Sequence, residues 1–520
     1  MMLTAAKYLV GFALIFAGLV AAARILFPLP APPQEPASTA LPPAADNPLL
    51  AAIAPMAKEN PDKTGIYPLI SGLDAFVARM LLTEQARSSI DVQYYIWHDD
   101  LTGTVLLDAL KAAAMRGVRV RLLLDDNGID ALDAELAALD RLPNMEVRLF
   151  NPFVLRRPKV LNYAFDFFRL NHRMHNKSFT VDMTASVIGG RNVGDEYFGT
   201  GPNGTFLDLD VLAVGEVVPK ISADFDLYWS SPAAYPIASI VGEDGGDGLE
   251  KLAASVARVT ATEQFEDYRK EIEGSGLVRR LLDRSLRLEW TDVQLVSDDP
   301  AKVLRKARRR DLMLSRLNDL LETPTQSLDL VSAYFVPGKI GMRKLTELEK
   351  KNVRVRILTN GFEATDVALV HSGYAKYRRK LLDFGVDLFE LKARAAPQMG
   401  REELGVVGSS GSSLHAKTFS IDGRHVFVGS FNFDPRSALL NTEMGLMIDS
   451  PTLARGINDL FDTGLPGISY RTTLTGDGRI AWTDIGEDGE PQVHDVEPGT
   501  TFLSRLLVRV TGWLPVEWML

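Results

Sequence analysis

The middle of the chain says the same thing twice. SIDVQYYIW (Ser89 to Trp97), a helical stretch and VRVRLLLDDNG (Val118 to Gly128) are answered by SLDLVSAYF (Ser327 to Phe335), a helical stretch and VRVRILTNG (Val353 to Gly361). Short β-branched runs alternating with helical patterns mark βαβ units and predict a parallel-type sheet in each copy. Each copy then delivers a matching motif, MHNKSFTVD in the first and LHAKTFSID in the second. A duplicated α/β unit predicts two domains related by a pseudo-two-fold axis, with a site at their junction. The 520 residues hold two such cores plus appendages.

In the first motif His175, Lys177 and Asp182 precede Gly189, Gly190 and Asn192; His415, Lys417, Asp422, Gly429, Ser430 and Asn432 repeat that spacing. A His drawn at average usage carries such a Lys and Asp about once in several hundred trials. Two of the seven His here carry them, so chance is no explanation. Residues two apart on a strand share a face, which makes imidazole and ammonium converge. Phe179 and Val181, or Phe419 and Ile421, continue the alternation, and the Asp ends the strand in a turn. Two such faces pressed together set two His, two Lys and two Asn around one cavity. That set meets the needs of a phosphodiester: donors for the non-bridging oxygens, one nucleophile, and one acid for the leaving oxygen. A carboxylate behind a His would orient its ring and support the cationic form.

The paired motifs resemble the HxKxxxxD motifs of the phospholipase D superfamily, and residues 70 to 465 fit that pattern. DVQYYIW, RMHNKSFTVD, GGRNVGDEYF, LHAKTFSID, GSFNFDPRS, LNTEMG and LPVEW are similar to its bacterial cardiolipin synthase C-like branch. The resemblance implies an α/β fold of two duplicated phospholipase D-type domains, packed with pseudo-two-fold symmetry around an active site at their interface. It implies a two-step, ping-pong route without metal or cofactor. In many family members the amino-terminal His is the nucleophile, which assigns that role to His175 and acid–base work to His415; the motif symmetry itself does not decide this. Lys177, Lys417, Asn192 and Asn432 are expected on the phosphate. The supporting carboxylates are expected at Glu443 and Asp208, with Asp210 competing for the second place. Asp182 and Asp422 are expected to hold loops rather than move protons. The implied function is transfer of a phosphatidyl group to phosphatidylglycerol, with phosphatidylethanolamine a candidate donor. A phospholipase D hydrolase is the alternative, and a nucleic-acid phosphodiesterase the weaker one.

Composition sharpens these choices. A formal charge of −10 argues against a nucleic-acid partner, although an acidic total can hide a basic groove. The absence of cysteine removes thiolate catalysis, cysteine-ligated zinc and disulfides. Asp125 and Asp126 with Asp208 and Asp210 are the one set to weigh as a metal site, and their spacing is unconvincing. Among the remaining His, His371 follows a strand end in a stretch that also matches the branch. With Tyr334 and Trp97 it is a candidate lining of the headgroup pocket, the rival reading being core aromatics and a packed His.

Tyr8 to Ala23 is an uninterrupted apolar run of 16 between Lys7 and Arg24, so residues 1–29 read as a membrane anchor or a secretory signal. Positive charge before the run sends the body outward, to the periplasmic side of a bacterial inner membrane. Residues 30–62 form a Pro/Ala-rich linker, 63–235 the first domain, 236–319 a charged, largely helical connector and 320–465 the second domain. Within the connector, KVLRKARRR (Lys302 to Arg310) reads either as a solvated helix face or as a patch for anionic headgroups. Phe153 to Phe168, aromatic and basic, reads as a membrane-contacting lip or a core helix. The tail, 466–520, ends in FLSRLLVRVTGWLPVEWML, an amphipathic stretch fit for a membrane interface or for packing on the body.

Overall fold

The computed structural model describes residues 2–32, 37–129, 131–201, 205–242, 246–282, 285–321, 324–365, 367–393, 413–486, 489–514 and 516–520. Two mixed sheets form the body. In the first, the central strands run in the order Asp210–Gly215, Ala185–Gly189, Ser178–Val181, Ser89–Ile96, Arg119–Gly128 and Met145–Phe150. In the second, Met444–Asp449, His425–Gly429, Lys417–Ile421, Ser327–Ser332, Arg354–Asn360 and Asp387–Leu391 repeat that order. The parallel sheet expected from the βαβ pattern is confined to the last three strands of each set. The motif strands pair antiparallel, because a short turn after Asp182 or Asp422 returns the chain directly instead of through a helix.

The duplication extends to buried charge. Arg121 grips Asp91 through Nε and Nη2 at 2.7 and 2.8 Å, and Arg356 grips Asp329 at 2.6 and 2.7 Å. These are the Asp of SIDV and SLDL and the second Arg of each VRVR, a fork-to-carboxylate pair set between neighbouring parallel strands.

Among the described residues, three of the four buried apolar clusters set how the halves pack. One lies under the helices of the first half and includes Phe76, Leu106, Leu110 and Leu136. Another lies under the helices of the second half, around Leu345, Phe419 and Phe427. The third belongs to both halves: Ile188, Leu207 and Val211 meet Leu414, Val428 and Leu446. That shared layer joins the sheets around a common axis and brings the motif ends together.

Residues 236–319 do not stand apart as a connector. Leu252, Val259, Tyr268 and Leu277, from helices Gly248–Thr260, Glu263–Glu273 and Gly276–Leu282, are buried in the first half's core. Strand Glu289–Thr291 then closes the edge of the first sheet and Val293–Ser297 that of the second, with Asp292 alone between them. In the basic cluster Lys302 is buried, its Nζ donating to Asp298 Oδ2 (2.8 Å) and Ser437 O (2.9 Å), while Arg308 is exposed and paired with Asp311.

Among the described residues no helix is long and apolar enough to cross a membrane. Helix Met2–Leu26 nevertheless exposes Tyr8, Phe12, Ile15 and Leu19. At its end Arg24 Nε donates to Phe165 O (2.8 Å). The Phe153–Phe168 segment divides between the two readings, with Phe153 and Phe165 buried and Val160, Leu161 and Phe168 exposed.

Candidate active site

Each motif strand is held from both ends. Asp182 and Asp422 both take φ of 52°, a left-handed conformation that Asp tolerates. Asp182 accepts from the backbone N–H of Arg87, Ser88 and Ser89 and from Asn47 Nδ2; Asp422 accepts from those of Thr325, Gln326 and Ser327. Both carboxylates are consumed in pinning the loop before the neighbouring strand, as expected of them. At the other end Lys177 Nζ donates to the carbonyl of His175 (2.7 Å), and Lys417 makes the same contact with His415.

The carboxylates cross over between the halves. His175 Nδ1 lies 2.8 Å from Glu443 Oε2, and His415 Nδ1 lies 2.5 Å from Asp208 Oδ2. Backbone contacts enforce the exchange: His175 N–H donates to Thr442 O (2.9 Å) and His415 N–H to Leu207 O (2.8 Å). Each His strand thus docks beside the residue that precedes the other half's carboxylate. The sequence named Glu443 and Asp208 but did not say which ring each would face. Asp210 is ruled out of that role, being paired with Arg79 at 2.8 Å.

The two pairs are not electrostatic equals. Burial, reinforced by the Lys177 and Lys417 ammoniums and by His415, pushes His175 well below the ordinary imidazole value. Its partner Glu443 is pushed up by burial to about 7, against the pull of Lys177 and a 2.5 Å hydrogen bond from Ser430 Oγ. Burial and Lys417 also lower His415, but the Asp208 carboxylate opposes them. Burial would raise Asp208 itself, yet His415 and Lys417 outweigh it and hold it at about 2. Burial takes Lys177 down to about 7. Both rings are lowered, His175 the more; the ionised Asp208 supports a proton on His415, whereas the raised Glu443 gives His175 less such support. Both lysines act on both rings, so the four groups of the two motifs lie close enough to feel one another's charge.

A difference in the GG/GS turns accompanies this asymmetry. A Cβ on Gly190 would fall 2.1 Å from Asp208 Oδ1, so only glycine lets that carboxylate approach. In the second half Ser430 stands in the corresponding place and donates to Glu443 instead.

The remaining expectations divide. Asn432 is buried with its side-chain oxygen unpaired. Asn192 Nδ2 gives one of its two N–H groups to the Tyr197 hydroxyl (3.0 Å) and Oδ1 accepts from Ile96 N–H (3.2 Å), which fixes the amide between them. Trp97 is a core residue, its Nε1 donating to Gly103 O and its ring packed edge-on to Tyr94. His371 belongs to a buried network, Nε2 at 2.7 Å from Glu497 Oε1, with Arg378 on the same carboxylate. Tyr334 is half-buried beside Ser332, whose hydroxyl donates to its carbonyl. The aspartates weighed as a metal site are separated by basic partners, Asp126 pairing with Arg156 and Lys159, and Asp125 with Arg173.

The walls that sequence reasoning missed are aromatic. Tyr95 packs edge-on to His175 (5.0 Å between centroids), with Lys177 Nζ 5.7 Å from its ring centre. Tyr197 and Phe206 flank His415 at 5.1 and 5.2 Å. A register shift between Tyr94 and Ile96 breaks the alternation of the strand, which sends Trp97 to the core and leaves Tyr95 to the site.

Comparison with known proteins agrees with this geometry. The family model described as cardiolipin synthase, PLD-like domain, matches residues 81–227 and 317–464. Cardiolipin synthase C of Escherichia coli is 47% identical over 474 residues, covering 91% of this chain and 99% of that protein. An uncharacterized protein of Helicobacter pylori strain 26695 is 31% identical, covering 88% and 90%. Among solved structures, the phosphatidylserine synthase of Haemophilus influenzae Rd KW20 shares the fold at a TM-score of 0.56 and 15% identity, covering 90% of this chain and 99% of that one. Matching across both repeats, and near-complete alignment with a relative at 47% identity, place this chain in the phospholipase D-like cardiolipin synthase family.

Proposed function

We propose that the chain is a cardiolipin synthase-type phosphatidyltransferase. The observation that carries this reading is the pair of His–Lys strands meeting across the domain interface, each ring backed by the other half's carboxylate. In the first step His175 attacks the lipid phosphorus while the bond to the headgroup oxygen breaks, and His415 gives that oxygen its proton. The product is a phosphatidyl-histidine and a free alcohol. In the second, His415 takes the proton of an incoming hydroxyl, which attacks phosphorus and releases His175. Lys177 and Lys417 bring positive charge to the non-bridging oxygens, and Asn432 would serve them through its amide N–H. Electrostatics favours this division of roles: His175 is the ring held neutral, and His415 the one whose protonated form Asp208 supports. The identity to a cardiolipin synthase C supports phosphatidylglycerol as acceptor, with phosphatidylethanolamine as a donor to test.

Attachment to a bacterial inner membrane, with the body on the periplasmic side, completes the proposal. It is supported by the exposed apolar side chains of helices Met2–Leu26 and Phe502–Gly512. The test is incubation of purified protein with labelled phosphatidylglycerol, with and without phosphatidylethanolamine, and identification of the products. Cardiolipin is expected, and both H175A and H415A should abolish it. Formation of phosphatidic acid alone, undiminished by added acceptor, would replace transferase with hydrolase.

A further inference from the structure

The halves part company where helices cover their sheets. In the first, helices Gly72–Gln85 and Leu101–Met115 share one continuous core. Their counterparts in the second, Met313–Leu321 and Gly338–Lys350, lie on either side of a cavity of about 600 Å³. Leu317, Leu345, Phe431 and Trp518 wall it. Ile340 and Leu439, each half exposed or more, stand at its mouth, and Lys339 and Lys344 belong to its rim. Trp518, itself partly exposed, belongs to the same tail as helix Phe502–Gly512, which exposes Phe502, Leu503 and Leu507, and as Trp513, exposed directly after that helix. The opposite face of that helix is docked on Ala368–Asp383, with Ser372 Oγ donating to Val508 O (3.0 Å).

We propose that this cavity receives one acyl chain of a membrane phospholipid, the tail helix resting its apolar face on the bilayer. Three features select this occupant. An apolar cavity of this size gains little from water and much from a hydrocarbon chain. Its volume suits one small ligand rather than a protein segment with polar backbone. Lys339 and Lys344 at the rim match an anionic headgroup left at the surface, while the two acidic residues of the lining are engaged elsewhere, Glu517 by Lys376 and Tyr377 and Asp434 by the Ser437 N–H. Occupancy would also reach the active site by a short route. Phe433 in the cavity wall stands three residues after Ser430, which holds Glu443. The inference rests on the membrane attachment proposed above and is separable from the catalytic reading.

The test uses the full chain and vesicles of phosphatidylglycerol brominated along its acyl chains, which quench nearby indoles. The Trp518 and Trp513 shares of the emission are obtained by difference from W518F and W513F. Trp518 lines the cavity, whereas Trp513 is 81% exposed and outside its lining. In wild type both shares should be quenched. In I340E/L439E, and in the milder I340S/L439S, Trp518 quenching should fall severalfold while that of Trp513 persists. An unquenched Trp518 in wild type, or parallel loss of both shares in the variants, would overturn the cavity as a lipid site. Activity provides the second arm: the variants should raise KM for long-chain vesicular lipid roughly tenfold, the effect of losing about two buried methylenes. Turnover of monomeric dihexanoyl lipid should be unchanged, and its loss in step would count against the proposal. Should the protein transfer no phosphatidyl group at all, the quenching still reads the cavity.

Discussion

Replacing Asp208 with Asn should separate the two histidines functionally. Asp208 is fully buried, 2.5 Å from His415 Nδ1, and supplies the charge that keeps His415 protonatable against burial and Lys417. A charge-assisted hydrogen bond contributes about 1.5–3 kcal/mol. Unit charges about 4 Å apart at an effective dielectric near 20 attract by about 4 kcal/mol. The two figures overlap, so a net loss of about 3–4 kcal/mol is expected, or roughly 10²–10³-fold in the step that needs the acid. The assay compares phosphatidylglycerol with a lipid whose headgroup is p-nitrophenol, a leaving group that departs without a proton. In D208N the first-step burst should collapse with the natural lipid and be largely retained with the nitrophenyl one. Equal loss on both substrates would refute the assignment of His415 as acid. Selective rescue of E443Q instead of D208N would exchange the two roles.

Glu443→Gln should inactivate the enzyme yet stabilise it as pH rises. The folded carboxyl, raised to about 7, still holds its proton at pH values where the unfolded one, near 4.5, has lost it. Wild type therefore loses stability as pH climbs from about 5 to 7, by up to about 3 kcal/mol, and the amide does not. The Tm difference between E443Q and wild type should widen across that window. Asp182→Asn should leave the chemistry and weaken the fold, since three backbone N–H groups lose their charged acceptor. A cost of about 2–4 kcal/mol is expected, read as a lower Tm with near-normal turnover well below it. Exhaustive chelation should leave turnover unchanged, because the proposed route uses imidazole and ammonium alone; loss restored by a divalent ion would contradict it.

Much of the site was legible because strand periodicity and turn chemistry are local. The spacing from His175 to Lys177 and from His415 to Lys417 needs only the two-residue repeat of a strand. The loop-holding role of Asp182 and Asp422 needs only a residue that tolerates positive φ and accepts N–H bonds. What stayed hidden was non-local or irregular. Which carboxylate serves which ring depends on docking between halves, and no pattern along the chain encodes it. Trp97 takes the core reading of the two the sequence left open, because one register shift next to Tyr95 reverses the faces of the strand. His371 follows a strand end as a pocket residue would, but Glu497, far along in the tail, claims its imidazole. Asn192 sits at a motif position, and its fixing between Tyr197 and Ile96 is a contact that the motif spacing does not announce. The charged look of residues 236–319 concealed the buried Leu252, Val259 and Tyr268 that tie them to the first domain.

Because each imidazole is seated on a carboxylate from the opposite repeat, neither half owns a complete reaction centre. A severed first half would keep His175 and Asp208 but leave both without counterparts. Dividing the polypeptide between the repeats should therefore give two inert fragments that regain activity only when mixed. With both repeats in one chain the two lent acids need not match, and here they do not: Asp208 faces one ring and Glu443 the other, with unlike consequences for charge.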